Sequence, residues 1–419
     1  MHLALLFATF ALGPAGRAQD APPEWTAQDA RRAATHSPLP APPPSPTNRF
    51  ADDERAARLG QSLFFDARLS ANGAISCATC HDPALGFGDG KQVFEGLERG
   101  PRHSPTLWNV AYQRWFFWDG RADSLWAQAV QPLESAIEMG GDRVALAHLI
   151  AGDARLRSEY ELLFSALPET SNWPAHAKPG PADSQAAPHA AWRALSDEQR
   201  RAASRVAANV GKCLEAYERK LVRRDAPFDA FVAGDAGALS PSALRGWKIF
   251  SGKGNCRSCH GGPNFSDGEF HNIGIPPLGG GRPDDPARYA GVERVKLDPF
   301  NALGEFSDER QGEAALRLET LRQTPQSFGE YRTPSLRNVA LSPPYMHQGQ
   351  FARLADVVHF YSTLEGVTQV GHHQEQTLKP LELDQGEQRD LIAFLESLTG
   401  AEPPRQWLGP RDRIEPREH

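Results

Sequence analysis

The sequence is poor in several residue types, and each shortage narrows what the protein can be. Its 419 residues include 5 cysteines and 3 methionines. No stretch reaches roughly 18 consecutive apolar residues, the least that suggests a membrane-spanning helix. A net charge of −7 does not indicate binding to nucleic acid or to an anionic membrane. The length suggests two or three domains, and 35 prolines with 37 glycines suggest long ordered loops and few strands.

Four of the five cysteines occur in two copies of one motif. The copies are Cys77-x-x-Cys80-His81 and Cys256-x-x-Cys259-His260. This spacing is typical of covalent haem c attachment, because the two thiols add to the haem vinyl groups and the adjacent imidazole can then bind the iron. A zinc or redox pair could explain one copy. Two copies predict two haems c, with His81 and His260 as iron ligands.

The N-terminus has the features of a secretory signal. Residues 3–12 form a short apolar run, and Gly16 and Ala18 are small residues at positions that a signal peptidase reads. We expect residues 1–18 to be a signal peptide cleaved near Ala18, which leaves a mature chain without a membrane span. An uncleaved anchor is the alternative, but the run is too short for one. A bacterial periplasm is the simplest destination, because haem c is normally attached there.

Composition and motif positions divide the rest of the chain into six segments. They are a Pro-rich tether at 19–48, a haem c domain at 49–167, a linker at 168–195, a connecting helix at 196–237, a second haem c domain at 238–400 and a tail at 401–419. The tether is rich in Ala and Pro and shows no periodicity, and we expect the polar tail to be frayed.

Capping signals and periodicity predict four helices around the motifs. An amphipathic helix begins near Asp52, and others begin at Ser196, Ser240 and Asp384, where a capping residue precedes a helical repeat of apolar residues. The fifth cysteine, Cys213, falls on the apolar stripe of the helix after Ser196. We therefore predict that it packs in the core and has no redox role.

A repeated segment suggests that the two haem domains are related. Residues 105–111 match residues 334–340 at an offset of 229, and the same offset places Gly120 on Gly349. The prediction is a mainly α fold of two cytochrome c-like domains, related by internal duplication and joined by long loops.

The first half contains a candidate acid–base group. Glu138 lies between Ile137 and Met139, and a carboxylate in apolar surroundings can move a proton between the two oxygens of a peroxide. A solvated loop carboxylate is the alternative. Trp118 and Gln128 precede Glu138 at intervals of ten, which by itself proves nothing.

The second half offers three candidate ligands for the far side of its iron. They are Met346, His347 and Tyr361. A methionine ligand would raise the haem potential, whereas a phenolate would lower it and favour high-valent iron.

Several stretches together resemble the bacterial di-haem cytochrome c peroxidase superfamily, and in particular its MauG/MbnH-like branch. The stretches are Leu63-Phe64-Phe65-Asp66-x-Arg68-Leu69-Ser70, residues 76–84, residues 117–121, Glu138-Met139 and residues 332–347. They cover most of residues 50–400.

The resemblance assigns roles to individual residues. It implies that the His81 haem, in the domain at 49–167, reacts with peroxide and has Gln128 and Glu138 in its distal pocket. The domain at 238–400 would transfer electrons, with Trp118 as the relay between the haems. Tyr361 stands where ordinary peroxidases of the family have a methionine ligand and MauG-like members have tyrosine, so it is the expected sixth ligand, with Met346 as the alternative.

Two departures from the family pattern affect these expectations. Residues 90–102 contain no histidine that could cap the first iron, which resembles members whose first haem is open without reductive activation. The family often holds calcium between the domains, with an asparagine and backbone carbonyls as ligands. This chain has His103 in place of that asparagine, and the carbonyls would be those near Ser342 and Pro344. Calcium is therefore a candidate ion only.

The resulting functional hypothesis is an exported peroxidase that reduces hydrogen peroxide at the first haem, with electrons relayed through the second. A small cytochrome c or cupredoxin would be the donor. The alternative is a MauG/MbnH-like enzyme that uses peroxide to oxidise Trp or Tyr residues of a partner protein. A non-enzymatic electron-transfer cytochrome is a third hypothesis, and it would need both irons to be six-coordinate.

Overall fold

The computed structural model describes residues 22–281, 283–368 and 375–411, and it is mainly helical. The helices are α1 Ala27–Ala34, α2 Glu54–Phe64, α3 Cys77–Cys80, α4 Leu125–Glu134, α5 Arg143–Gly152, α6 Ala154–Phe164, α7 Ala187–Ala194, α8 Asp197–Glu218, α9 Pro227–Val232, α10 Pro241–Ser251, α11 Arg288–Leu297, α12 Glu313–Thr320, α13 Leu354–Thr363 and α14 Gln385–Glu396. Two short antiparallel strands, β1 Phe270–His271 and β2 Tyr331–Arg332, pair Phe270 with Arg332. The predicted mainly α class is confirmed.

The described residues form two large hydrophobic cores. The first is built mainly from α2, α4, α5 and α8, and its largest buried side chains include Trp126 and Tyr217. The second is built from α10, α13 and α14 around Trp247, Phe250 and Phe394. Each core therefore surrounds one of the two C-x-x-C-H motifs.

The helix starts that the sequence predicted are present. The side chains of Ser196, Ser240 and Asp384 accept hydrogen bonds from backbone amides in the first turns of α8, α10 and α14. The cap of α2 is Asp53, one residue after the predicted position. Cys213 is fully buried on α8, as predicted.

The repeated segments adopt the same local backbone. Asn109 and Asn338 have φ angles of 60° and 62°, and each begins a short 3-10 helix. Further along, an isolated antiparallel bridge joins Phe116 to Ala122, and its counterpart joins Tyr345 to Phe351. Each pair differs by the offset of 229, so sequence similarity and local structure coincide.

Residues 22–48 are not the structureless tether that we predicted. They contain α1, whose capping box joins Thr26 and Asp29, and Ala33 belongs to the second core. His36 is buried, and its carbonyl accepts a hydrogen bond of 3.0 Å from Arg337. The proline content misled the prediction, because short helices flanked by prolines can still bury a few side chains.

The linker and the tail also contain packed residues. Helix α7 lies within the predicted linker at 168–195, where Ala177 is fully buried. In the tail, Trp407 joins the first core, and its carbonyl accepts a hydrogen bond of 2.8 Å from the Tyr217 hydroxyl. The buried side chain of Gln61 also donates hydrogen bonds of 2.6 and 2.8 Å to the carbonyls of Gln406 and Gly409, so several contacts anchor this polar segment. Residues 412–419 and the predicted cleavage site at Ala18 lie outside the described residues.

No helix in the described ranges is both long enough and apolar enough to cross a bilayer.

Helix α2 packs closely on α8 because Gly60 has no side chain. A Cβ atom at position 60 would collide with the backbone carbonyl of Cys213. We expect Gly60→Ala to lower the free energy of unfolding by about 1–3 kcal/mol, as overpacked cores do. Urea unfolding of the haem-loaded protein, followed by circular dichroism, measures this change.

Gly152→Ala is the matched control. Gly152 ends α5 and has no atom within 4 Å of the position that a Cβ would take, so this change should be neutral or stabilising by up to about 1 kcal/mol. Equal unfolding midpoints for the two variants would contradict the tight contact.

Candidate haem sites and the contact between them

The first motif holds its histidine in a defined orientation. His81 follows α3, and its Nδ1 donates a hydrogen bond of 3.0 Å to the Phe87 carbonyl. This bond leaves Nε2 as the nitrogen that can bind a metal, since a ligating imidazole commonly donates its other N–H to a carbonyl. Burial lowers the pKa of His81, which favours the neutral form that binds iron.

The second motif repeats this arrangement. The Nδ1 of His260 donates a hydrogen bond of 3.1 Å to the Phe265 carbonyl, and burial lowers the pKa of His260 too. Phe87 and Phe265 are both fully buried and have φ angles of 56° and 50°. The sequence analysis did not identify these two phenylalanines, although each follows its motif histidine by five or six residues.

The donor set at each motif fits a c-type haem. Two sulfurs lie one helical turn apart, and the adjacent imidazole is oriented through Nδ1 so that Nε2 remains available. Cys77 and Cys80 would hold the first haem, and Cys256 and Cys259 the second.

Glu138 lies close to the first motif and has no hydrogen-bond partner for its carboxylate among the described residues. Burial raises the pKa of Glu138, and the Arg121 guanidinium partly opposes this. Burial raises the pKa values of the Cys77 and Cys80 thiols, and the negative charge of Glu138 raises them further. A half-buried carboxylate beside the attachment sulfurs is suited to proton transfer at that haem.

The backbone around Glu138 is fixed by a neighbouring loop. The amide of Leu97 donates a hydrogen bond of 2.9 Å to the Glu138 carbonyl, and the amide of Glu98 donates one of 3.0 Å to the Ile137 carbonyl. Gln128 is half-buried on α4, but no hydrogen bond within the described ranges joins it to Glu138.

Trp118 lies where the two halves meet. Its exposed fraction is 8%, and its indole Nε1 donates a hydrogen bond of 2.9 Å to the His103 carbonyl. Its ring contacts the ring of His347 edge-on, with 6.5 Å between centroids. Trp118 therefore contacts residues of both halves.

Two backbone hydrogen bonds at this boundary are counterparts of each other. The amide of His103 donates to the His347 carbonyl at 2.8 Å, and the amide of Arg332 donates to the Trp118 carbonyl at 2.9 Å. Residues 103 and 332 differ by 229, as do residues 118 and 347. The halves therefore make the same contact twice with their roles exchanged.

A buried charge network fixes the segment that carries Trp118. Asp119 is fully buried, and its carboxylate lies 2.7 Å from Arg102 and 3.1 Å from Arg121. Burial favours the neutral acid, but the guanidiniums of Arg121 and Arg102 outweigh it and lower the pKa of Asp119. Arg102 also binds Asp285 through two hydrogen bonds of 2.8 Å. The sequence analysis did not identify Arg102 or Asp285, which are 183 residues apart.

Tyr361 lies near the second motif. It is half-buried on α13, and its pKa is raised first by burial and then by Cys256 and Cys259. The effect of these sulfurs indicates that the hydroxyl is close to them. Met346 is half-buried in the turn before His347, with a φ angle of 72°. His347 is buried, and burial lowers its pKa to about 3.

The residues at the candidate calcium position give that ion little support. Calcium prefers oxygen ligands, whereas His103 offers an imidazole whose Nδ1 already donates to the Lys91 carbonyl at 2.8 Å. Elsewhere in the described ranges, Cys259, Asp267 and His271 could together surround a metal ion. Cys259 is already assigned to the second haem, so this group is not a separate metal site.

Comparisons with known proteins agree with this geometry. Residues 54–237 match the family model described as di-haem cytochrome c peroxidase. Cytochrome-c peroxidase IdrP1 of Pseudomonas sp. (strain SCT) is 34% identical over 89% of this chain and 89% of its own length. The chain belongs to the di-haem cytochrome c peroxidase family.

Other members of the family include MauG proteins. The methylamine utilization protein MauG of Methylorubrum extorquens is 32% identical over 86% of this chain and 82% of its own length. The crystal structure of a MauG-like protein associated with microbial copper homeostasis superposes with a TM-score of 0.60, at 26% identity, over 86% of this chain and 95% of that one. As a family member, the chain is an oxidoreductase of the di-haem peroxidase type.

Tyr361→Phe tests the ligand predicted for the second haem. Loss of the hydroxyl should leave haem attachment intact but change the low-spin absorption spectrum, because the iron would lose its oxygen ligand. Met346→Leu is the control and should leave the spectrum unchanged. The opposite result for the two variants would identify Met346 as the ligand.

Proposed function

We propose that this protein is an exported di-haem c peroxidase that reduces hydrogen peroxide at the His81 haem, with electrons entering through the His260 haem. The observation that carries the proposal is the asymmetry between the two motifs. A half-buried carboxyl with a raised pKa, Glu138, lies beside the first motif. A phenol, Tyr361, lies beside the second. One motif thus has a proton carrier and the other has a potential ligand.

The proposed reaction consumes two electrons and two protons for each hydrogen peroxide and releases two waters. When bound, the first haem would supply an iron with a free coordination position for peroxide. Glu138 would take the proton from the oxygen nearer the iron and return it to the farther oxygen, which makes the farther oxygen a better leaving group. Arg121, whose charge acts on Glu138, would hold this carboxyl partly ionised despite its burial.

Trp118 would connect the two haems. It is anchored by its indole hydrogen bond to the first half and by a backbone hydrogen bond to Arg332 of the second half. These bonds, with the ionised Asp119 beside it, fix the ring at the boundary between the halves. Gln128 would assist in the distal pocket as a neutral hydrogen-bonding group.

Thioether attachment and export belong to the same proposal. Cys77, Cys80, Cys256 and Cys259 would be bonded covalently to the two haems, which is why the structure brings each pair within one turn of its histidine. Attachment would take place in the periplasm after removal of residues 1–18. The shared backbone of the repeated segments supports an origin by internal duplication.

The second candidate function is oxidation of Trp or Tyr residues on a partner protein. The position of Tyr361 near Cys256 and Cys259 favours it, because a phenolate ligand stabilises highly oxidised iron. Similarity to MauG is consistent with this function but does not identify a partner.

Peroxide added without reductant distinguishes the hypotheses. A high-spin component in the ferric absorption spectrum would exclude a pure electron carrier. We then expect the peroxidase to turn over rapidly with a reduced small cytochrome c or cupredoxin as donor. A long-lived oxidised form, together with negligible turnover with these donors, would favour protein oxidation. The measurement is stopped-flow absorption of the purified protein.

Glu138→Gln tests the proton carrier. We expect the rate constant for peroxide cleavage to fall by roughly 10²–10⁴-fold, the contribution typical of general acid–base catalysis. Glu98→Gln is the matched control, because Glu98 is exposed and its amide binds the same segment. An unchanged rate in Glu138→Gln would remove this residue from the mechanism.

The pH dependence of the rate constant for peroxide cleavage is an independent test of the Glu138 carboxyl. A general base acts when it is ionised, so the rate should fall as the pH drops through the raised pKa of Glu138. Glu138→Gln should lack this fall. Arg121→Gln should move it to higher pH, because the charge that opposes the effect of burial is gone.

A further inference from the structure

Three rings contact one another in sequence, one pair edge-on and one pair stacked, and lead away from the boundary between the halves. The rings of Trp118 and His347 have centroids 6.5 Å apart, and those of His347 and Tyr331 are 3.7 Å apart and nearly parallel, at 11°. Tyr331 is on β2 and is half-buried. Trp118 is thus joined through one imidazole to a phenol that reaches partly to solvent.

The phenol of Tyr331 has a carboxylate nearby. Burial raises the pKa of this phenol and the charge of Asp285 adds to the effect, and the Arg102 guanidinium lies 5.6 Å from the centre of the Tyr331 ring. Arg102 outweighs the effect of burial on Asp285 and lowers the pKa of this carboxyl to about 2. Asp285 is therefore an ionised carboxylate near the phenol.

A cavity lies beside the end of the stack. Its walls combine the apolar side chains of Ile273, Ile275 and Pro277 with the carboxylates of Asp284 and Asp285. Its volume of about 30 Å³ is enough for one or two waters, so an aromatic donor would meet Tyr331 at the open mouth of the cavity. The exposed carboxylate of Asp284 can accept a hydrogen bond from a hydroxyl group there.

We propose that Tyr331 is a redox-active relay residue that carries oxidising equivalents from Trp118 to the mouth of this cavity, where a small phenolic one-electron donor binds. This proposal rests on the proposed peroxidase function and adds to it a second route for electrons, separate from the second haem.

The proposed step balances in electrons and protons. Tyr331 gives one electron through His347 to oxidised Trp118, and its phenolic proton moves to the nearby Asp285 carboxylate. An oxidised phenol is a far stronger acid than a carboxylic acid, so this transfer is downhill even though the pKa of Asp285 is low. A phenolic donor at the mouth of the cavity then gives one electron to the Tyr331 radical and releases one proton to solvent, while the proton on Asp285 returns to the Tyr331 oxygen and leaves Asp285 ionised. Two donors are oxidised for each peroxide reduced to two waters.

The surroundings of His347 suit a bridging role. Burial lowers its pKa to about 3, so the ring is neutral between the two residues that exchange an electron. Its backbone carbonyl accepts the hydrogen bond from His103, which fixes the ring position relative to Trp118. The parallel stack with Tyr331 then depends on two anchored backbone segments and not on a mobile loop.

Tyr331→Phe in the haem-loaded protein tests the relay, because phenylalanine keeps the stack but cannot lose an electron and a proton at an accessible potential. Samples are frozen milliseconds after hydrogen peroxide is added without reductant and are examined by electron paramagnetic resonance. The unchanged protein should show a tyrosyl signal that narrows when ring-deuterated tyrosine is incorporated, and Tyr331→Phe should lose it. Peroxide-dependent oxidation of hydroquinone should be lost in parallel.

Tyr289→Phe is the matched control, since Tyr289 lies on α11 outside the stack, and it should keep both the signal and hydroquinone oxidation. The first reaction with peroxide, followed by haem absorption, should be the same in all three proteins. If Tyr331→Phe keeps the tyrosyl signal and hydroquinone oxidation, the relay is wrong and the peroxidase function stands. If the unchanged protein does not react with peroxide at all, both proposals fall.

Discussion

Two backbone hydrogen bonds join the halves, one from His103 to His347 and the other from Arg332 to Trp118. Each uses the residue that precedes a Ser/Thr-Pro turn in one half and the aromatic residue of a tight turn in the other half. Each bond fixes one segment of one half against the other half. Together they hold the backbone of Trp118 and of His347 at the boundary, and the ring of His347 stacks on Tyr331.

Charge strengthens the same boundary. Arg102 lies between Asp119 of the first half and Asp285 of the second, and Arg288 donates a hydrogen bond of 2.8 Å to the Gly120 carbonyl. Removing one partner of such a buried set leaves the other charges without compensation, which costs several kcal/mol more than losing an exposed ion pair. The boundary is therefore rigid where electrons would cross it, while no hydrogen bond within the described part of the chain holds the Glu138 carboxylate.

Local signals in the sequence predicted much of this structure. The caps at Ser196, Ser240 and Asp384, the buried face of Cys213 and the paired motifs depend on residues a few positions apart, and they appear as expected. The contacts of Arg102 with Asp285 and of Tyr331 with His347 were not predicted. They join segments that the fold brings together, so neither propensity nor periodicity carries a signal for them. His36 and Trp407 were missed for a related reason, since one buried aromatic ring in a polar segment leaves no periodic pattern.

The two ends of the described chain are packed on the opposite halves. Ala33 and His36, which come before the first motif, pack with the second core, whereas Trp407, which comes after the second motif, packs with the first. Neither half can therefore complete its core from its own stretch of sequence. Separately expressed halves would therefore each expose apolar surface that the other end of the chain covers in the whole protein.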